Sequence, residues 1–163
     1  MIAKGENLFK RYNKRTHIDA VQQKHIVLFG EQIAIHDFYL QYPQKKQPET
    51  FHLSPSISKI CKDILKEYAT PILDQYSKKI GIAYTKLSVR KTISKRGSCT
   101  HDQKISLNLD LIHLPTKFIK YVIIHEACHL KVKNHSSRFR ALVESFIPEY
   151  KIIKKKLSKF VIR

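Results

Sequence analysis

YVIIHEACHLKVKNHSSRF, from Tyr121 to Phe139, sets three histidines and one glutamate within eleven residues, behind a run of apolar side chains. Residues four apart on an α-helix are rotated by about 400°, so they lie nearly above one another. His125 and His129 therefore share one helix face and can share one ion. Glu126 sits about 100° round from His125, too far to compete as a ligand and well placed to reach a water beside that ion. This H-E-x-x-H spacing is the geometry of a zinc hydrolase, with two imidazole ligands and a carboxylate base. FIKYVII, just ahead of it, is apolar on nearly every side. The helix is expected to be buried, and buried His and Glu need partners.

A third ligand is required, and His135 is the obvious candidate. On an unbroken helix it would lie about 1000° from His125, equivalent to about 280° and on the wrong side. The helix must therefore end between His129 and His135, and Asn134 can supply a left-handed C-terminal residue there. Glu144 is the alternative third ligand; a salt bridge with a neighbouring cation explains that glutamate equally well. H-E-x-x-H also arises by chance, and nine histidines in 163 residues make coincidence easier. The buried helix ahead of the motif and the third histidine behind it favour a metal.

Working outward, Pro115 marks the start of this helix, where a missing N–H does no harm. KISLNLDL, before it, alternates Ile105, Leu107 and Leu109 with polar residues, the period of a half-buried strand. AYTKLSVRKTISKRGSC reads as an extended segment running to Gly97. Further upstream, Ser56 or Ser58 can cap a helix through ISKICKDILKEYA, which Pro71 should end or kink and which Gly81 can stop. HIVLFGEQIAIHDFYL puts apolar runs on either side of Gly30 and Glu31, as a hairpin does. Beyond the histidines, two more helical pieces divide at Pro148. The expected organisation is a basic lead-in over residues 1–24 and one domain over 25–163.

The chain has 31 Lys and Arg against 13 Asp and Glu, a formal charge of +18. Such a surface attracts polyanions, so non-specific nucleic acid is a candidate partner, and a merely solvated lysine-rich surface is the plain alternative. Cys61, Cys99 and Cys128 are odd in number and widely spaced, which argues for reduced thiols rather than a disulfide framework. No stretch approaches the roughly 18 apolar residues that span a bilayer. A soluble, cytoplasmic protein with no membrane partner is expected; the oligomeric state is left open.

The spacing of the three histidines equals that of the metzincins, but Val132 occupies their glycine position and the only methionine is Met1, which excludes a Met-turn. The chain instead resembles the YgjP-like zinc-metallopeptidase family, relatives of the SprT-like domains. That family's pattern runs R-W-G-S-C, a strand ending in L-N, H-E-L-C-H-L, N-H-S and F-W. Here stand KRGSC at 95–99, ISLN at 105–108, HEACHL at 125–130, NHS at 134–136 and RFR at 138–140, in the same order across residues 85–157. Arg96 and Arg140 replace the two tryptophans, and Ala127 replaces a leucine. The resemblance implies a small α+β zincin-like domain, with a short antiparallel or mixed sheet packed on a buried H-E-x-x-H helix and C-terminal helices. It implies zinc on His125, His129 and His135, with Glu126 as catalytic base.

The expected activity is zinc-dependent hydrolysis of a peptide or protein. The same chemistry suits an anionic small molecule, which makes a nucleotide or phosphoanhydride hydrolase the alternative. A basic nucleic-acid-binding module with a structural or vestigial zinc is another, since KIIKKKLSKFVIR is a basic amphipathic helix. Arg96 and His101 are candidate oxyanion contacts, and Asn108 lies on a strand around Ser106 that is a candidate for aligning an extended substrate by edge addition. GSC at 97–99 is read chiefly as a structural turn, with Cys99 or its backbone near the site as the alternative. Cys128 is read as a small buried hydrophobe.

Overall fold

The computed structural model describes residues 25–41 and 55–160; the expected lead-in over 1–24 lies outside them. The described residues begin with an antiparallel hairpin, β1 (His25–Leu28) and β2 (Glu31–Ala34). Its two-residue turn is Phe29–Gly30, with φ of 52° and 86°, the pair of positive angles of a type I′ turn. The expected turn at Gly30–Glu31 is thus one residue late. Gly30 is required twice over: besides its φ, an added Cβ would lie 2.9 Å from Pro115 Cγ. Phe29, in a conformation uncommon for a large side chain, donates its N–H to the Ile112 carbonyl at 2.7 Å and packs on the Tyr68 ring. The second apolar run does not extend the hairpin. It turns into a short helix, α1 (Ile35–Gln41), that buries Phe38.

The long helix α2 (Pro55–Ile80) starts at Pro55, so neither Ser56 nor Ser58 caps it; proline's fixed φ suits the first turn. Pro71 neither ends nor restarts it. The missing N–H costs one bond to the exposed Glu67, while Leu65, Ala69, Leu73 and Tyr76 keep one continuous buried stripe on either side. Gly81 stops the helix as expected: at φ 79° its N–H reaches the Lys78 carbonyl and the Ile82 N–H reaches Ser77, a Schellman closure.

A three-stranded mixed sheet follows, in the order β3 (Lys86–Arg90), β5 (Lys104–Asn108), β4 (Gly97–Cys99). β5 runs parallel to β3 and antiparallel to β4. Ile105 and Leu107 point into the core as their alternation requires, and a 3-10 turn (Leu109–His113) buries Leu111 and Ile112 before the chain enters α3 (Thr116–Lys131). Pro115 is the residue just before that helix rather than its first. Two amphipathic helices close the fold, α4 (Ser137–Phe146) and α5 (Tyr150–Leu157).

α3 is the centre of the domain. Ile119, Ile123, Ile124, Ala127 and Cys128 are fully buried, packed against α2, the sheet and the 3-10 turn. Each buried Ile or Leu stabilises the fold by roughly 1.5–3 kcal/mol, which offsets the cost of holding Glu126 and His129 inside. No helix among the described residues is long and apolar enough to cross a membrane.

Candidate metal centre and its two walls

The last turns of α3 carry His125, Glu126 and His129. The helix ends at Lys131, where the Val132 N–H still reaches the Cys128 carbonyl while Val132 itself is extended, at φ −128°. Asn134 does not take the left-handed conformation expected of it; the described non-glycine residues with positive φ are Phe29 and Gln103. A β-branched, buried Val132 leaves the helix by the extended route, and no αL residue is needed. Ser136 then starts α4, its Oγ accepting from the Phe139 N–H at 3.4 Å. The short link folds His135 back over the helix end.

The three imidazoles converge there. Their Nε2 atoms stand 3.1 Å apart for His125–His135 and 3.2 Å for His129–His135, and the ligand-type atoms of all three lie within 4.8 Å of one another. Three ring nitrogens cannot satisfy one another with hydrogen bonds, whereas a tetrahedral ion with about 2.0–2.1 Å bonds would space them at roughly 3.3 Å. The residues therefore fit a metal. The tautomers agree: His129 Nδ1–H donates to the Val132 carbonyl at 2.9 Å, which leaves its Nε2 unprotonated and aimed at the cluster. Burial chiefly, then the neighbouring His129 and His135, depress the His125 pKa to about 3; burial also lowers that of His129. Neutral imidazoles are the form that binds a cation.

Phe139 is the plate on which the cluster rests. Its ring stacks on His129 at 4.3 Å and meets His125 and His135 edge-on at 4.9 Å each. Tyr121, one turn before His125, has its ring 5.8 Å away. Arg140 donates to the His135 carbonyl at 3.0 Å and so holds the backbone of the third histidine. Sequence reasoning missed these supports, although Phe139 four residues after His135 and Tyr121 four before His125 carry the one-turn spacing that would have found them.

Glu126 is buried, and burial raises its pKa to about 7, with Lys95 pulling the other way. It lies against β4: a Cβ added to Gly97 would come within 2.7 Å of Glu126 Cγ and Oε1. Only glycine leaves room for the carboxylate at that point. GSC is therefore a strand beside the site, not a turn. Arg96 and Ser98 face β5, as the Asn108 N–H bond to the Arg96 carbonyl at 2.8 Å shows, so the alternation turns the N–H and C=O of Gly97 and Cys99 the other way. The edge-addition idea attached to the strand around Ser106 is corrected accordingly. β5 is paired on both sides; β3 and β4 are the two edges, and β4 is the one against Glu126.

On the other flank, a cavity of about 490 Å³ opens beside His125 and His135, walled by α4 and α5. The remaining expectations separate. Arg96 sends its Nη2 to the carbonyls of Leu157 at 3.0 Å and Phe160 at 2.6 Å, bolting the end of α5 to the start of β4. Asn108 is buried and fully engaged: its amide donates to the Thr92 and Lys95 carbonyls at 2.8 and 3.0 Å and its oxygen accepts from the Asp110 N–H. It shapes the loop before β4 from inside. His101 is exposed in the β4–β5 turn. Glu144 is outside the cluster and pairs with Lys151 at 3.4 Å. Cys128 is a buried hydrophobe, its thiol pushed up to about 12 by burial. Cys99 lies near Glu126, contacted by the Lys133 Nζ at 3.7 Å, its pKa raised by burial.

The sequence matches the YgjP-like metallopeptidase domain family over residues 2–160. No curated protein matches it significantly. Among solved structures it is similar to the metallopeptidase zymogen abylysin of Pyrococcus abyssi, with a TM-score of 0.51 and 24% identity, covering 56% of this chain and 92% of that one. The metallopeptidase zymogen jannalysin of Methanocaldococcus jannaschii gives a TM-score of 0.50 at 19% identity, covering 56% and 94%. At these identities the likeness is one of fold.

Proposed function

Because this chain belongs to the YgjP-like metallopeptidase family, we propose that it is a zinc-dependent peptidase in which His125, His129 and His135 hold the metal and Glu126 is the general base. The observation that carries the reading is the convergence of three imidazole ring nitrogens, within 4.8 Å of one another, beside a buried carboxyl whose pKa is raised to about 7. When bound, zinc supplies Lewis-acid polarisation of a carbonyl and acidifies a water molecule. Glu126 accepts the proton of the attacking water and delivers it to the departing amine; a base poised near neutrality does both. The outward-facing main chain of Gly97 and Cys99 aligns an extended peptide as an added strand, holding its scissile carbonyl over Glu126. Phe139 and Arg140 keep the ligands in place without touching the reacting atoms.

The test is metal content by elemental analysis together with hydrolysis of a mixed peptide pool, with nucleotides screened in parallel. About one zinc per chain in wild type and in Glu126→Gln, with peptide cleavage lost in Glu126→Gln alone, supports the reading. Glu126-dependent turnover of a nucleotide with no peptide cleaved would replace it with the phosphoanhydride alternative.

A further inference from the structure

We propose that the cavity between α4 and α5 is a carboxylate subsite, which makes this a peptidase for substrates bearing an acidic group close to the bond that is cut. The proposal rests on the peptidase reading above and adds to it the substrate class. Lys151, Lys154, Lys155 and Ser158 all line the cavity, at spacings of three, one and three residues, the signature of one helix stripe. The apolar stripe of the same helix, Tyr150, Ile153 and Leu157, turns towards the core. The basic face of α5 thus looks into the cleft that holds His125 and His135.

Two of these three cations are not spent on ion pairs. Lys151 meets Glu144 at 3.4 Å, and among the described residues Lys154 and Lys155 form no ion pair. Lys154 is near enough for its charge to help depress the His125 pKa. Lys154 and Lys155 have exposed side chains on a helix whose C-terminal end is fastened by Arg96, so they present charge from a fixed backbone. Beside the two imidazoles, Tyr121, Phe139 and Tyr150 line the cavity with phenol and phenyl surface, and Val143 and Arg140 complete it from α4. An aromatic wall ending in ammonium groups suits a ligand with a short apolar stem and an anionic tip. A glutamate side chain and a peptide's terminal carboxylate share that chemistry.

A basic chain of this kind presents lysines in many places, so the decisive experiment compares positions and not total charge. Binding is measured by fluorescence anisotropy at 0.15 M salt on zinc-loaded Glu126→Gln protein, with peptides identical except for Glu against Gln, and for a C-terminal acid against an amide. Cleavage of the same peptides is followed with Glu126 intact. Expected is about a ten-fold preference for the acidic member of a pair, 1.4 kcal/mol, falling to within about two-fold in Lys154→Gln/Lys155→Gln. Lys59→Gln/Lys66→Gln, which removes the same charge from α2, should leave the preference intact. Whether the Glu or the terminal acid carries the preference identifies the source. Equal losses in the two double variants, or no acidic preference in any pair, overturn the subsite. Cleavage without acidic preference would sink the subsite and spare the peptidase. Lysine-dependent acidic binding with no peptide cleaved would do the reverse.

Discussion

Two walls flank the imidazole cluster, and they are made of different materials. The β4 wall is three residues of edge strand, Gly97–Cys99, that presents main-chain groups and has given up a side chain where Glu126 lies. The α5 wall is a helix face that presents lysines on long, exposed stems. Main-chain groups are the same in every peptide, so the first wall can align a substrate but cannot choose one. Side-chain charge differs between substrates, so the second wall can choose. Arg96 joins them: it stands immediately before β4 and holds the end of α5 by two carbonyls.

The largest expected effect belongs to the shared centre. Glu126→Gln should lower kcat by about 10²–10⁴-fold with zinc retained, measured by single-turnover cleavage and elemental analysis. Breaking the β4 wall comes next. Gly97→Val drives carbon into Glu126 Cγ and Oε1, and about a 10²-fold fall in kcat is expected, with the Glu-against-Gln preference unchanged. A changed preference in that variant would erase the division of labour between the walls. Arg140→Ala removes the hold on the His135 carbonyl and should weaken zinc binding about 10–100-fold in a chelator competition, the size seen for groups that orient ligands.

The join between the walls is a matter of stability. Arg96→Ala removes the donor shared by the Leu157 carbonyl at the end of α5 and the Phe160 carbonyl just beyond it, and should cost about 2 kcal/mol in urea unfolding; loss of acidic preference at a temperature where the fold is intact would show that α5 had swung free. The smallest effect lies outside both walls. Tyr84 donates to Asp74 Oδ1 at 2.7 Å, and burial with the Asp74 charge pushes its pKa from 10.0 to about 12. The folded state keeps this proton after the unfolded chain has lost it, so its stabilising contribution is whole below about pH 10 and fades as pH rises through 12. Tyr84→Phe should flatten that alkaline limb and leave both walls as they were.

How legible these features were depends on how far apart their parts lie in the chain. His125, Glu126 and His129 are one turn apart or adjacent, and helix geometry alone sets the two imidazoles on one face with the carboxylate beside them. Gly81 announces a helix stop because no other residue takes its φ freely. The hairpin was visible as two apolar runs, but its exact turn was displaced by one residue, since the contact that selects Phe29–Gly30 is with Ile112 and Pro115, more than eighty positions away. Pro71 reads in the sequence as ending or kinking its helix, with ILDQYSKKIG continuing or restarting it; the helix continues, because the local penalty is outweighed by a buried stripe on both sides of the proline.

The arginines make the same point more sharply. As isolated letters, Arg96 in KRGSC invited an oxyanion role and Arg140 in RFR stood only as a replacement for a tryptophan. In the folded chain Arg96 is committed to a helix end and Arg140 to a ligand's backbone. Periodicity and spacing were therefore sufficient for the buried helix and the paired histidines, because each depends on neighbours within a turn, while the class of fold came from the resemblance of several separated motifs to the YgjP-like family. Which glycine makes room for the carboxylate and where the end of α5 is held depended on packing between segments about 30 to 60 residues apart, and no local pattern encodes a contact whose partner lies so far along the chain.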